Sequence, residues 1–178
     1  MLKDKSEIFN KIYPYIFTII FLILSVLLIY NHELWRDEVK AWLVGSESIS
    51  IPAFIYNIRD NLGHPYLWSF ILYLISHYIT KNIEVMKILH LLISTTIAFL
   101  ILKYAPFNKF IKILMVFSYY FFFEYSIISR NYSIGILAII IFCILYKNKY
   151  KNLIPIGFVL FFMGQGTIDM NPKFWTLT

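Results

Sequence analysis

Two uninterrupted apolar runs constrain this chain more than any other feature. Residues 12–30 read IYPYIFTIIFLILSVLLIY and residues 85–104 read VMKILHLLISTTIAFLILKY. As helices, runs of about 20 residues match the roughly 30 Å hydrocarbon core of a bilayer. Composition agrees with membrane residence. Of 178 residues, 60% are hydrophobic and only 15% are charged, and mean hydropathy is +0.69. A soluble domain carries about a quarter charged residues. The same figures exclude a disordered chain. One cysteine, Cys143, excludes a disulfide framework and a Cys-based zinc site, and the four His show no metal-ligand spacing. The formal charge of +6 has no soluble basic face to occupy, so a nucleic-acid partner is not expected.

The first run follows Lys3, Lys5 and Lys11, as a signal peptide would. Its end, Leu28-Ile29-Tyr30-Asn31, lacks small residues at a cleavage position, so an uncleaved signal-anchor span is expected. Further spans are expected at 110–127 and 132–146, and another begins at 153–163. Cys143 then packs in mid-span as a small apolar residue, and His90 as a hydrogen-bonded helix residue.

Residues 65–79 are short for a span, at about 22 Å as a helix. Ser69, Tyr73, Ser76 and His77 share one of its faces. Such a stripe suits the interface, or a groove against other helices.

Basic residues choose between these topologies. If 65–79 does not cross and the N-terminus is inside, Lys3, Lys5, Lys11, Lys103, Lys109, Lys112, Lys147, Lys149 and Lys151 fall inside. Arg36, Lys40, Arg59, Lys81, Lys87, Arg130 and Lys173 fall outside. Letting 65–79 cross moves the majority outside, against the positive-inside rule. The expected fold is therefore an all-α integral membrane protein with about five transmembrane helices plus external juxtamembrane amphipathic helices. It forms a single transmembrane domain over 1–178, with the first span at 12–30, an external segment at 31–84 and the remaining spans in 85–163.

Three segments could carry chemistry. In ELWRDEVKAWLVG, residues 33–45, helical spacing puts Trp35, Val39, Trp42 and Leu43 on one face, suited to the headgroup level. Asp37 falls on the opposite face, where it is either a solvated acid or a general base or cation ligand. In NLGHPYLW, residues 61–68, Gly63 allows a turn and Pro65 suits a first helical position. His64 there is either part of a plain capping turn or an anion contact at a helix N-terminus. In FFFEYSIISRNYSIG, residues 121–135, Glu124 and Arg130 lie at the external end of a helical pair. They form either a salt bridge between helices or, through Arg130, a lipid-phosphate contact.

In this order, the three segments resemble the N-terminal part of the GT-C membrane glycosyltransferases, of the family 39 type. This type includes protein-mannosyltransferase-like and aminoarabinose-transferase-like enzymes of bacteria. Trp35-Arg36-Asp37-Glu38 is similar to the family's Trp-x-Asp-Glu element, Gly63-His64-Pro65 to its Gly-His-Pro element, and Arg130-Asn131-Tyr132 to its Arg-x-Tyr element. Where the family has an acid two places before the Arg, this chain has Ile128, and Glu124 lies six places before.

The resemblance, over roughly residues 12–146, implies inverting transfer of a sugar from a polyprenyl-phosphate-linked donor to an external acceptor. It implies Asp37 as catalytic base with Glu38 in support, and His64, Arg130, Tyr132 and Glu124 as lipid-phosphate or substrate contacts. Some such enzymes use a divalent cation and others do not; Asp37 is the ligand if one binds. Membrane lipid is the other expected partner. Family members are much longer, so a second polypeptide supplying further helices is an expected partner, and the 178-residue chain alone is expected to show weak or no transfer. The competing readings are a transporter or flippase subunit for a lipid-linked saccharide, with polar groups such as His90 and Ser94–Thr96 at mid-membrane depth, and a non-catalytic membrane subunit.

Overall fold

A computed structural model describes residues 2–61, 66–147 and 151–167. Among the described residues, all regular structure is helical. The helices are α1 (Leu2–Tyr30), α2 (Arg36–Ser46), α3 (Ile51–Asn61), α4 (Tyr66–Tyr78), α5 (Glu84–Tyr104), α6 (Lys109–Val116), α7 (Tyr132–Tyr146) and α8 (Leu153–Thr167). A π-helical segment, Tyr119–Glu124, lies between α6 and α7.

Two helical stretches, Glu7–Tyr30 and Glu84–Tyr104, are long and apolar enough to cross a membrane. They belong to α1 and α5, which pack against each other. Phe21 and Leu102 are buried between them with Ile97, Ala98 and Ile101. The Tyr13 hydroxyl donates to the Leu102 carbonyl at 2.6 Å, and Lys112 Nζ donates to the same oxygen at 3.2 Å. That carbonyl lies in the last turn of α5, where intrahelical donors run out. The opposite side of α1 exposes Ile16, Ile19, Ile23 and Leu27. A continuous aliphatic surface of this kind requires lipid or a partner. α7 and α8, which pack together, are apolar but shorter, at 15 residues or about 22 Å each.

The expectation of one continuous helix over 110–127 is corrected. Asn108 caps α6, its side chain accepting from the Ile111 N–H at 2.9 Å. The helix stops at Val116, and Ser118 is extended, its hydroxyl donating back to the Met115 carbonyl at 2.7 Å. The chain restarts as the wider π turn, which offsets the side-chain register from that of an α-helix. Phe117 and Phe122 both meet Phe21 edge-on, with centroids 6.0 and 5.4 Å away. Six consecutive bulky residues from Tyr119 are thereby accommodated.

Helices α2, α3 and α4 form a second packed region. Trp42, Trp68, Leu72 and Met86 make one buried cluster, and Val44, Phe54, Ile58 and Tyr73 another. At Gly45, α2 approaches the backbone of α4 closely. A Cβ there would lie 3.0 Å from the Tyr73 nitrogen and 3.3 Å from the Ser69 oxygen. The polar stripe of 65–79 is what α2 and α3 pack upon. Ser69, Tyr73 and Ser76 are buried, while His77 is exposed and stacks on Tyr73 at 4.2 Å. A groove against other helices, one of its two expected uses, is observed.

The face expected of α2 is rotated. Trp42 is buried in protein with Glu38, Val44 and Gly45, while Trp35 and Leu43 remain exposed. The close approach at Gly45 turns that side inward. Cys143 also departs from expectation, being exposed on α7.

Candidate functional site

The first turn of α2 carries two adjacent acids with opposite environments. Successive helical residues differ by about 100° in direction, so one neighbour can be buried while the next is exposed. Glu38 is completely buried. Its carboxylate accepts from the Trp35 N–H at 2.8 Å, at the start of its own helix, and from His32 Nε2 at 2.9 Å. It also accepts from the Ser129 N–H at 2.6 Å, across 91 residues of chain. A buried carboxylate is tolerable only with such partners.

Asp37 points outward, with 65% of its side chain exposed. Its Oδ2 lies 3.1 Å from Arg130 Nη2. The Arg130 guanidinium also lies over the Trp35 ring, 5.5 Å from its centroid. Two consecutive acids on one segment therefore meet two consecutive residues on another, Glu38 with Ser129 and Asp37 with Arg130. The first and third sequence motifs are brought together by this pairing.

Support comes from behind. Lys87 Nζ donates to the His32 carbonyl at 3.1 Å and pairs with Glu84 at 3.0 Å. The Ser133 hydroxyl donates to the Arg130 carbonyl at 3.0 Å and meets His90 Nδ1 at 3.3 Å. His90 is buried as expected, with Trp68 edge-on at 5.9 Å. Ser94 and Thr96 bond back to their own helix, at Leu91 and Leu92. Arg130 Nε, Ser129 Oγ and Trp68 Nε1 are buried without a hydrogen-bond partner among the described residues.

Other expected residues are placed differently. Glu124 ends the π turn half-buried, and Arg130 pairs with Asp37, so the Glu124–Arg130 bridge, one of the two readings of this segment, is not the pairing observed. Tyr132 is the exposed first residue of α7, two places beyond Arg130. Ile128, standing where the family has an acid, is fully buried. Gly63, His64 and Pro65 lie outside the described residues, as does the chain beyond Thr167. No group of three or more potential metal ligands occurs among the described residues, and Asp37 has a guanidinium at hand instead.

Sequence reasoning missed His32, Ser129 and Lys87 as members of this network. A lone His, a Ser in a turn and a Lys near a helix start carry no spacing signal.

Beside this network runs an open groove of about 510 Å³, lined by Leu28, Asn31, His32, Glu33, Leu34, Trp35, Phe123 and Ile127. It connects the end of α1 with the π turn and shares Trp35 with the Asp37–Arg130 pair.

Compared with known proteins, the chain matches no family model, no curated protein and no solved structure.

Proposed function

We propose that this chain is a membrane glycosyltransferase module that transfers a sugar from a polyprenyl-phosphate-linked donor to an acceptor on the external face of the cell membrane. One observation carries the reading. The Trp35–Glu38 and Ser129–Arg130 segments converge, leaving an exposed carboxylate beside a guanidinium. In the reaction, the acceptor O–H or N–H gives its proton to Asp37 as it attacks the anomeric carbon. The bond from that carbon to phosphate oxygen breaks, and polyprenyl phosphate leaves with the electron pair. Arg130 exchanges Asp37 for the phosphate, where a planar fork fits two oxygens and negative charge develops. This exchange also frees Asp37 to act as a base. Glu38 holds the two segments in register without touching substrate.

The wider arrangement belongs to the same proposal. It has about five spans, a cytoplasmic N-terminus, and α2 to α4 lying on the external side. The two long apolar helices and the distribution of Lys and Arg support it.

The test is sugar transfer from a labelled polyprenyl-phosphate donor, in membranes carrying the chain and with the purified chain. Asp37→Asn is expected to lower transfer by about a hundredfold or more while leaving donor retention intact. Arg130→Gln is expected to weaken donor retention itself. Wild-type transfer by Asp37→Asn membranes, or no retention of the labelled donor by the wild-type chain, would overturn the reading.

A further inference from the structure

Depth along the helix axes separates α7 from its neighbours. Ser133, the second residue of α7, meets His90, six residues into α5. Ile136, Leu137 and Ile140 then follow against Ile97, Ala98 and Ile101, so the two helices run in step and in one direction. At 1.5 Å per residue, α7 starts about 8 Å deeper than α5 does. Thirteen residues beyond this contact, Tyr146 and the exposed Lys103 reach the same level, and the exposed Lys147 follows. The inner ends are flush, so the difference falls at the outer end.

The helices on this side are short. α7 rises about 22 Å, and its packing partner α8 carries its apolar residues over Leu153–Gly164, about 18 Å. α8 exposes Leu153, Ile154, Phe158 and Phe161. α1, which also packs on α5, is longer: the exposed Lys11 and Asn31 stand about 30 Å apart by helical rise. The α1 face thus fits the roughly 30 Å hydrocarbon core, and the α7–α8 face falls short by about 8 Å.

α7 is held at its depth. Buried Glu38 accepts from the Ser129 N–H, and Ser133 is bonded to His90 and the Arg130 carbonyl. In a bilayer of full thickness, Asn131 and the Asp37–Arg130 pair just above α7 would face hydrocarbon, with 65% of the Asp37 side chain exposed to it. Charges there are costly, whereas a bilayer thins around short helices at modest cost per ångström.

We propose that the α7–α8 face fits a thin bilayer: it binds phospholipid with short acyl chains, and beside α7 the outer headgroups descend to the level of Arg130. A phosphate carried by lipid then reaches Arg130 without leaving its leaflet. The proposal rests on α7 and α8 being spans, and not on sugar transfer.

The test places the purified chain in dimyristoleoyl, dioleoyl or dierucoyl phosphatidylcholine, which share one head and differ in thickness. The thermal midpoint should be highest in the thin dimyristoleoyl bilayer and fall with each increase in thickness. Water exposure is read by alkylation with a membrane-impermeant maleimide in a Cys143→Ser background. In dioleoyl bilayers, Tyr132→Cys, at the outer end of α7, should react about as fast as Tyr30→Cys, at the exposed end of α1. Ile139→Cys, midway along α7, should react about tenfold more slowly or worse, since apolar surroundings suppress the thiolate. A midpoint that peaks in a thicker bilayer or does not change would overturn the proposal and leave the spans intact. So would a Tyr132→Cys variant as slow as Ile139→Cys. An Ile139→Cys variant as fast as Tyr132→Cys would mean that α7 does not span, and the topology and the proposal would fall together.

Discussion

The α1–α5 pair and the α2–α4 region are both helical and both rich in aromatic residues, yet they are held together differently. The α1–α5 pair meets through a seam of aliphatic and phenyl groups, Phe21, Ile97, Ala98 and Ile101, and leaves broad aliphatic surface outside. At one end of the pair, Tyr13 of α1 and Lys112 of α6 both donate to the Leu102 carbonyl. In the α2–α4 region, backbones approach closely at Gly45, and a buried carboxylate ties the region to the segment before α7. For helices lying in lipid, removing apolar contact loses packing but little hydrophobic transfer, because the separated helices remain in an apolar solvent. For the second region, losing a polar contact strands buried donors. Stability in the first region is thus spread over many contacts, and in the second it is concentrated in a few.

Four substitutions can break or sharpen this contrast. Glu38→Ala should be the most damaging, by about 3–5 kcal/mol, because the Ser129 and Trp35 N–H groups and His32 lose their shared acceptor. Hydrogen exchange should rise together in α2 and around Ser129. Phe21→Ala should cost less than the ~3–5 kcal/mol typical of a core phenylalanine in a soluble protein, since lipid solvates the separated surfaces. Thermal unfolding in detergent would check this, and a full soluble-protein cost would blur the contrast. Gly45→Ala should cost about 1–3 kcal/mol through overpacking against the α4 backbone. Its exchange effect should stay within α2, α3, α4 and the start of α5 that carries Met86, and a change reaching the Phe21–Ile101 seam would contradict two separately held regions. Asp37→Asn should shift stability by less than about 1 kcal/mol, because the Asp37 carboxylate is largely solvated. A large loss would mean that Asp37 is structural like its neighbour.

The parts of the molecule legible in the sequence are those set by periodicity and length. The apolar runs ending at Tyr30 and Tyr104 became helices ending at those residues, and Tyr66–Tyr78 became the short α4. Helix α3 was not singled out, because in IPAFIYNIRDN Phe54 and Ile58 form only one short buried edge. The break at Phe117–Ser118 was missed because hydropathy continues across it, whereas backbone geometry does not. At the candidate site, the exposure of Asp37 on the opposite side from Trp42 followed from helical spacing. Its pairing with Arg130 did not, since nothing in either segment encodes a partner 93 residues away. The choice of Asp37 over Glu124 as that partner depends on Glu38 and Ser129 setting the register between the two segments.

That register bears on how the site can move. Asp37 and Glu38 belong to one helical turn, so rotating α2 to free Asp37 would stretch the bonds that Glu38 accepts from Ser129 and His32. Arg130 can release Asp37 by turning its own side chain, with the backbone still pinned at Ser129. Opening and closing here are then matters of side-chain rotation, which exposed groups complete in picoseconds to nanoseconds, rather than of helix displacement, which takes microseconds or longer.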